Sequence, residues 1–171
     1  NEYAQAIDEV MRAKLGLATS EPGDEALVEE LLGVLHAGRV DWTLFWRGLA
    51  KLRLDAASPA DDAAVRDLFA DRGAFDAWAA GYRARLRREG SSDGERAARM
   101  NRVNPKYVLR NHLAEVAIRK ARGDDGEPRD FSEVERLLRV LSRPYDDQPE
   151  FDDYAQAPPE WAAGLALSCS S

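Results

Sequence analysis

Cysteine is almost absent from this sequence: Cys169 is the only one in 171 residues, so no disulfide can close within the chain. Histidine is nearly as scarce. His36 and His112 stand alone, without HExxH spacing or paired cysteines, which leaves no zinc-type ligand set to read. No apolar run approaches the roughly 18 residues of a membrane-spanning helix, and no signal-peptide pattern opens the chain. No segment alternates apolar and polar residues as a half-buried strand would, and no glycine-rich fingerprint follows a strand to cradle a phosphate. These absences exclude a disulfide scaffold, a membrane span and a recognisable nucleotide loop. With a mean hydropathy of -0.51, they predict a soluble, intracellular protein.

What is present is helical periodicity. A hydrophobic fraction of 44% and four tryptophans suffice for a real core. The pattern predicts an all-α fold, an irregular bundle of about eight helices. The first runs from Glu2 to Leu15 and stops at Gly16, with Tyr3, Ile7, Val10, Met11 and Leu15 on its apolar side. Asp24 is expected to cap the second, Asp41 the third, and Ser58 with Pro59 and Asp61 the fourth. A fifth, after Gly73, aligns Phe75, Trp78, Tyr82 and Leu86. Ser92 with Glu95 suggests a capping box for the sixth. Asn104 and Pro105 are expected to start the seventh, with Val108, Leu109, Leu113, Val116 and Ala117 inward. Ser132 with Glu135 opens the eighth, with Val134, Leu137, Leu138 and Leu141 inward.

From Pro144 the pattern changes to prolines, acids and isolated aromatics. The expected organisation is therefore a helical region, 1–143, followed by an ordered extended tail, 144–171, pinned by aromatics such as Tyr145 and Trp161. The acids between Asp146 and Asp153 do not have EF-hand spacing and read as solvated. The amino end lacks a methionine and enters a helix at once, so a piece of a longer protein is expected. Ser168-Cys169-Ser170-Ser171 reads as a natural carboxyl terminus.

Charge is uneven. The whole chain carries -7, yet between Arg83 and Arg122 twelve basic residues stand against four acids. With Tyr82 and Tyr107 nearby, that stretch could bind nucleic acid, but a solvated or internally paired face is the favoured reading. Cys169, two residues from the end among serines, is placed for exposure; nothing basic adjoins it to lower its pKa, so an ordinary exposed thiol is the favoured reading from position and a redox or covalent role the second.

Several segments together resemble the carboxyl-terminal region of the selenoprotein O family, also called SelO or YdiU. The strongest are Met100-Asn101-Arg102-Val103-Asn104-Pro105-Lys106-Tyr107-Val108-Leu109-Arg110-Asn111, then Pro158-Pro159-Glu160-Trp161 and the closing Ser168-Cys169-Ser170-Ser171. Lys14 to Leu17 and Asp41 to Arg47 add weaker support, and His112 stands where an aromatic is expected. The resemblance implies a kinase-like protein that transfers AMP from ATP, with magnesium, to Ser, Thr or Tyr hydroxyls of proteins. Its nucleotide and metal groups would lie in an upstream core, so this chain alone is expected to be inactive, with no catalytic, cofactor-binding or metal-binding residue of its own. It implies a redox role for Cys169, bridging to that core, and structural roles for Asn104, Pro105, Arg110, Asn111 and Trp161. A bacterial, cytoplasmic protein that does not bind membranes follows from the same resemblance. The alternative is a stand-alone helical module that binds protein or nucleic acid through its basic middle.

Overall fold

A computed structural model describes residues 2–123 and 126–165. Among them there are helices and turns and no strand, which is the all-α class that the periodicity predicts. The chain divides into two compact units, Asn1–Pro105 and Lys106–Ser171. Residues 144–165 are part of the second.

The first unit comprises α1 (Glu2–Leu15), α2 (Asp24–Gly38), α3 (Trp42–Leu49), a 3-10 turn over Pro59–Asp62 that runs into the short α4 (Ala63–Arg66), α5 (Arg72–Arg88) and α6 (Asp93–Val103). Helix α2 packs on α5, α1 on α6, and α3 on α4. Aromatic rings fill the middle. Phe45 meets Trp46 edge-on at 5.0 Å, Phe69 stacks on Phe75 at 4.9 Å, and Trp78 stacks on Tyr82 at 5.1 Å. Fully burying each such side chain is worth about 2–3 kcal/mol. The four expected face residues of α5, Phe75, Trp78, Tyr82 and Leu86, are all buried. Helix α3 approaches α4 so closely that a Cβ on Gly48 would lie 2.8 Å from the Ala64 carbonyl oxygen.

Local capping chemistry sets several boundaries. The Asp41 carboxylate accepts from the Leu44 N–H at 2.9 Å, and Ser58 with Asp61 forms a reciprocal box around Pro59. Other expectations need correction. Asp24 is the first residue of α2, not its cap: Gly23 holds that place in a left-handed conformation, and Asp24 turns back to the Glu21 N–H. Helix α5 begins at Arg72, one residue before Gly73, capped by Asp71. Ser92 precedes α6 but makes no capping bond; Asp93 instead accepts from the Leu54 N–H and from Arg96. In α1, Met11 and Leu15 are buried while Ile7 and Val10 face solvent.

In the second unit α7 (Asn111–Arg122) packs on α8 (Ser132–Leu141), followed by 3-10 turns at Pro149–Ala155 and Glu160–Ala162. The seventh helix therefore begins at Asn111 and not at Asn104-Pro105. Lys106 and Tyr107 both donate their N–H groups to the Pro144 carbonyl, at 2.8 and 3.2 Å, which holds this stretch out of a helical turn. Of the residues expected inward, Leu137 and Ala117 are buried, but Leu109, Val134 and Leu138 are exposed. The segment after Pro144 is pinned by Phe151 and Tyr154, while Tyr145 and Trp161, expected to do this, are about half exposed.

Gly16 offers a test of the α1–α6 contact. It adopts φ +69°, and a Cβ there would lie 2.6 Å from Met100 Cγ and 2.8 Å from Arg96 Cγ. Gly90 has the same φ with nothing within 4 Å. Gly90→Ala is expected to cost about 1 kcal/mol, the left-handed penalty alone, and Gly16→Ala about 2–4 kcal/mol, because buried side chains must also shift. Urea unfolding of the two variants measures the difference; equal costs would refute the tight contact.

Candidate functional site

Two polar joints gather the residues that the sequence singles out. In the first unit Asn104 follows α6 with an extended backbone, φ -109° and ψ 106°, as the residue before a proline tends to. Its side chain is completely buried. Its Nδ2 donates to the Lys14 carbonyl at 3.0 Å, one of the acceptors left open where α1 ends, and its Oδ1 accepts from Lys14 Nζ at 3.0 Å. The amide satisfies both partners at once, donating to the carbonyl while accepting from the ammonium. Arg47 adds a 3.4 Å bond to the Asn104 carbonyl. The ammonium also lies 5.2 Å from the Trp46 ring centroid and 5.7 Å from that of Trp42, within cation–π range. Burial lowers the Lys14 pKa from its ordinary value.

In the second unit Tyr107 is the centre. Its buried hydroxyl donates to the Gln148 carbonyl at 2.9 Å and accepts the Gln148 N–H at 3.2 Å. Gln148 then donates through Nε2 to the carbonyls of Val140 and Arg143 at the end of α8. Lys106 reaches Asp147 at 3.0 Å and Asp152 at 2.8 Å. Burial acts to lower the Lys106 pKa, but the Asp152 and Asp147 hydrogen bonds outweigh it and raise it. Two of the acids read as merely solvated are therefore its partners. Deeper in the unit Glu133 accepts from the Tyr154 hydroxyl and from Lys120 Nζ. Burial would raise the Glu133 carboxyl, yet these two donors leave it below the usual range. Burial, with the Glu133 charge, pushes Tyr154 up to about 12.

The basic stretch is largely consumed by internal partners. Arg85, buried in α5, contacts Asp24 at 2.6 Å, Glu89 at 3.0 Å and Glu21 at 3.1 Å, and donates to the Thr19 carbonyl. Arg83 pairs with Asp62, Arg87 holds the Leu54 carbonyl, and Arg99 the Gly16 carbonyl. Arg96, with no exposed surface, donates to the Leu52 carbonyl and pairs with Asp93. Groups so engaged are not offered to phosphates, which removes the main support for a nucleic-acid face. Periodicity held a signal for Arg85 that went unread: it lies three residues after Tyr82 and seven after Trp78, on the buried face.

The remaining candidates are dispersed. Asn111 donates to the Leu165 carbonyl at 3.1 Å, and Arg110 is the residue preceding α7. Pro105 follows Asn104 as the last residue of the first unit. The His112 ring meets Trp161 edge-on at 6.2 Å, and burial with the nearby Arg110 charge lowers its pKa. His36 lies in the last turn of α2, and Cys169 lies outside the described residues. Among the described residues no three His, Cys, Asp or Glu side chains converge as metal ligands, and no helix is long and apolar enough to cross a membrane. The joints can fix geometry.

Two measurements test these joints. Asn104→Ala is expected to cost about 2–3 kcal/mol, because it leaves a buried carbonyl and a half-buried ammonium without their partner. Combined with Lys14→Met, the double variant should cost about 1 kcal/mol less than the sum of the singles; strict additivity in urea unfolding would show that the pair does not interact. The Glu133–Tyr154 pair predicts pH dependence on both sides. Glu133, depressed in the folded state, stabilises above its unfolded pKa of 4.5 and loses that contribution as pH falls through the folded value. Tyr154, raised in the folded state, stabilises below its unfolded value of 10.0 and loses that contribution as pH rises toward about 12. Tyr154→Phe should therefore abolish its share of the alkaline loss and move the acid-side loss upward. Thermal melts from pH 3 to 12, wild type against variant, read both, and parallel curves would refute the pair.

Comparison with known proteins agrees with the motif-based resemblance. Residues 1–142 match the family model described as protein adenylyltransferase SelO. Proteins named protein nucleotidyltransferase YdiU are similar throughout: that of Burkholderia multivorans is 59% identical over 99% of this chain and 31% of its own length. Those of Paraburkholderia xenovorans and Cupriavidus metallidurans are 57% and 55% identical over 100% of this chain, covering 32% and 30% of their own lengths. The chain thus spans about a third of the length of the curated relatives it matches. With most of its residues under the family model and the Asn104–Tyr107 motif at the centre of both joints, this chain belongs to the SelO family.

Proposed function

We propose that this chain is the helical carboxyl-terminal region of a bacterial protein adenylyltransferase, which transfers AMP from ATP to Ser, Thr or Tyr hydroxyls of proteins in the cytoplasm. The observation that carries the reading is the match of residues 1–142 to a family described by that activity. The shares of 30–32% of the relatives' lengths leave ample room for a kinase-like core elsewhere in the polypeptide. ATP and magnesium are the expected cofactors. Among the described residues no three His, Cys, Asp or Glu are placed to hold a metal ion, and both cofactors are assigned to the core. The contribution of this region is structural: its buried joints keep two helical units in defined shapes for the core to use.

Cys169 keeps a redox role in this reading. Its thiol and one from the core would give up two electrons and two protons to a small-molecule disulfide, which leaves as two thiols, and a protein disulfide forms. Mass mapping of the oxidised complete protein is expected to find Cys169 bridged; finding it always free would refute the bridge.

The activity is tested with the complete polypeptide and α-labelled ATP in the presence of magnesium. Label is expected on hydroxyl side chains of proteins, and the 171-residue chain alone is expected to bind no ATP. Transfer of the γ-phosphate, or nucleotide binding by this chain alone, would overturn the reading.

A further inference from the structure

Helix α8 carries one broad apolar arc. Leu137 and Val140 are buried in the core of the second unit and Leu141 packs against it partly buried, whereas Val134 and Leu138, at the other edge of the arc, are exposed. With Leu109 and Ile118 from the α7 side they line an open groove. Leu138 retains 72% of its surface exposed and Leu109 retains 56%. Among the described residues that line it, Ser142 is the only polar one. An exposed apolar edge that is contiguous with aliphatic side chains of a second helix is more than a scattered surface hydrophobe.

We propose that this groove is a docking seat for the rest of the same polypeptide, entered by an apolar ridge from residues beyond these 171. Relatives that match this chain from end to end are about three times its length, so an intramolecular occupant is available at high effective concentration. The lining defines its chemistry: aliphatic or aromatic side chains without charge, since nothing in the groove would pair with a buried ion. A second copy fits less well, because a twofold interface sets the groove against itself, concave on concave. The inference rests on reading this chain as part of a longer protein, but not on what that protein transfers.

The test replaces Leu138 by a photoreactive benzoyl-phenylalanine in the complete polypeptide. The expected result is an intramolecular cross-link, independent of protein concentration, to residues outside the 171-residue stretch. A concentration-dependent link to a second copy, a link to the first unit, or no link would each overturn the proposal. Leu138→Glu in the complete polypeptide is expected to lower Tm by about 2 °C or more, since a docked position cannot solvate the charge. An unchanged Tm would count against docking. AMP transfer is scored in parallel on the unsubstituted protein. Its absence alongside an intramolecular cross-link supports the docking seat and overturns the activity reading alone.

Discussion

A buried or half-buried cation must be given its counter-charges and acceptors where helices pack around it, and this requirement recurs in both units. Arg85 is the clearest case. Leaving its guanidinium buried and unpaired would cost several kcal/mol, so Asp24, Glu21 and Glu89 are drawn around it, together with the Thr19 carbonyl. That demand fixes the path of the loop between α1 and α2, because Thr19, Glu21 and Asp24 all have to arrive there. Burial opposes the charge on Arg85, yet the Asp24 and Glu89 interactions raise its pKa, while Asp24 is lowered. The two shifts run in opposite directions and both favour the charged form, as they should for a pair that is ionised on both sides.

Lys14 and Lys106 meet the same requirement with different partners. Lys14 has no carboxylate contact among its described bonds and uses an amide oxygen and two indole faces, and burial lowers its pKa. Lys106 has two aspartates, and its pKa rises. In the second unit, where the buried apolar cluster is small, such clamps carry much of the organisation. Tyr107, Gln148, Glu133 and Tyr154 tie the segment after Pro144 to the end of α8 and to its first turn.

What could be read from sequence follows from how local its cause is. The caps at Asp41 and Ser58 are satisfied within three residues and were legible. The aromatic stripe of α5 was legible because one periodic face meets one core. Asn104 was misread as a helix start because its amide is engaged by Lys14, ninety residues earlier, and no local pattern announces such a partner. Lys106 and Tyr107 are diverted by Pro144 in the same way. The family motif located Asn104 and Tyr107 as notable without saying what they touch. Periodicity placed Val134 and Leu138 inward with Leu137 and Leu141, but it could not say that their edge of the stripe stays exposed.

Joints of this kind matter for what the described residues present outward. A joint such as Asn104–Lys14 does its work by permitting few arrangements: the amide must donate to one atom and accept from another, and Gly16 beside it leaves no room for a Cβ. Rigidity of that kind is useful only if something else is held by it. The first unit encloses its aromatic core, and much of its basic stretch is neutralised from within. The second unit, by contrast, presents a stripe of aliphatic side chains with no hydrogen-bonding role of its own. Polar joints that fix the shape of α7 and α8 thereby fix the position of that stripe, so a change at Tyr107 or Gln148 would be felt at the outer face as displacement rather than as lost chemistry.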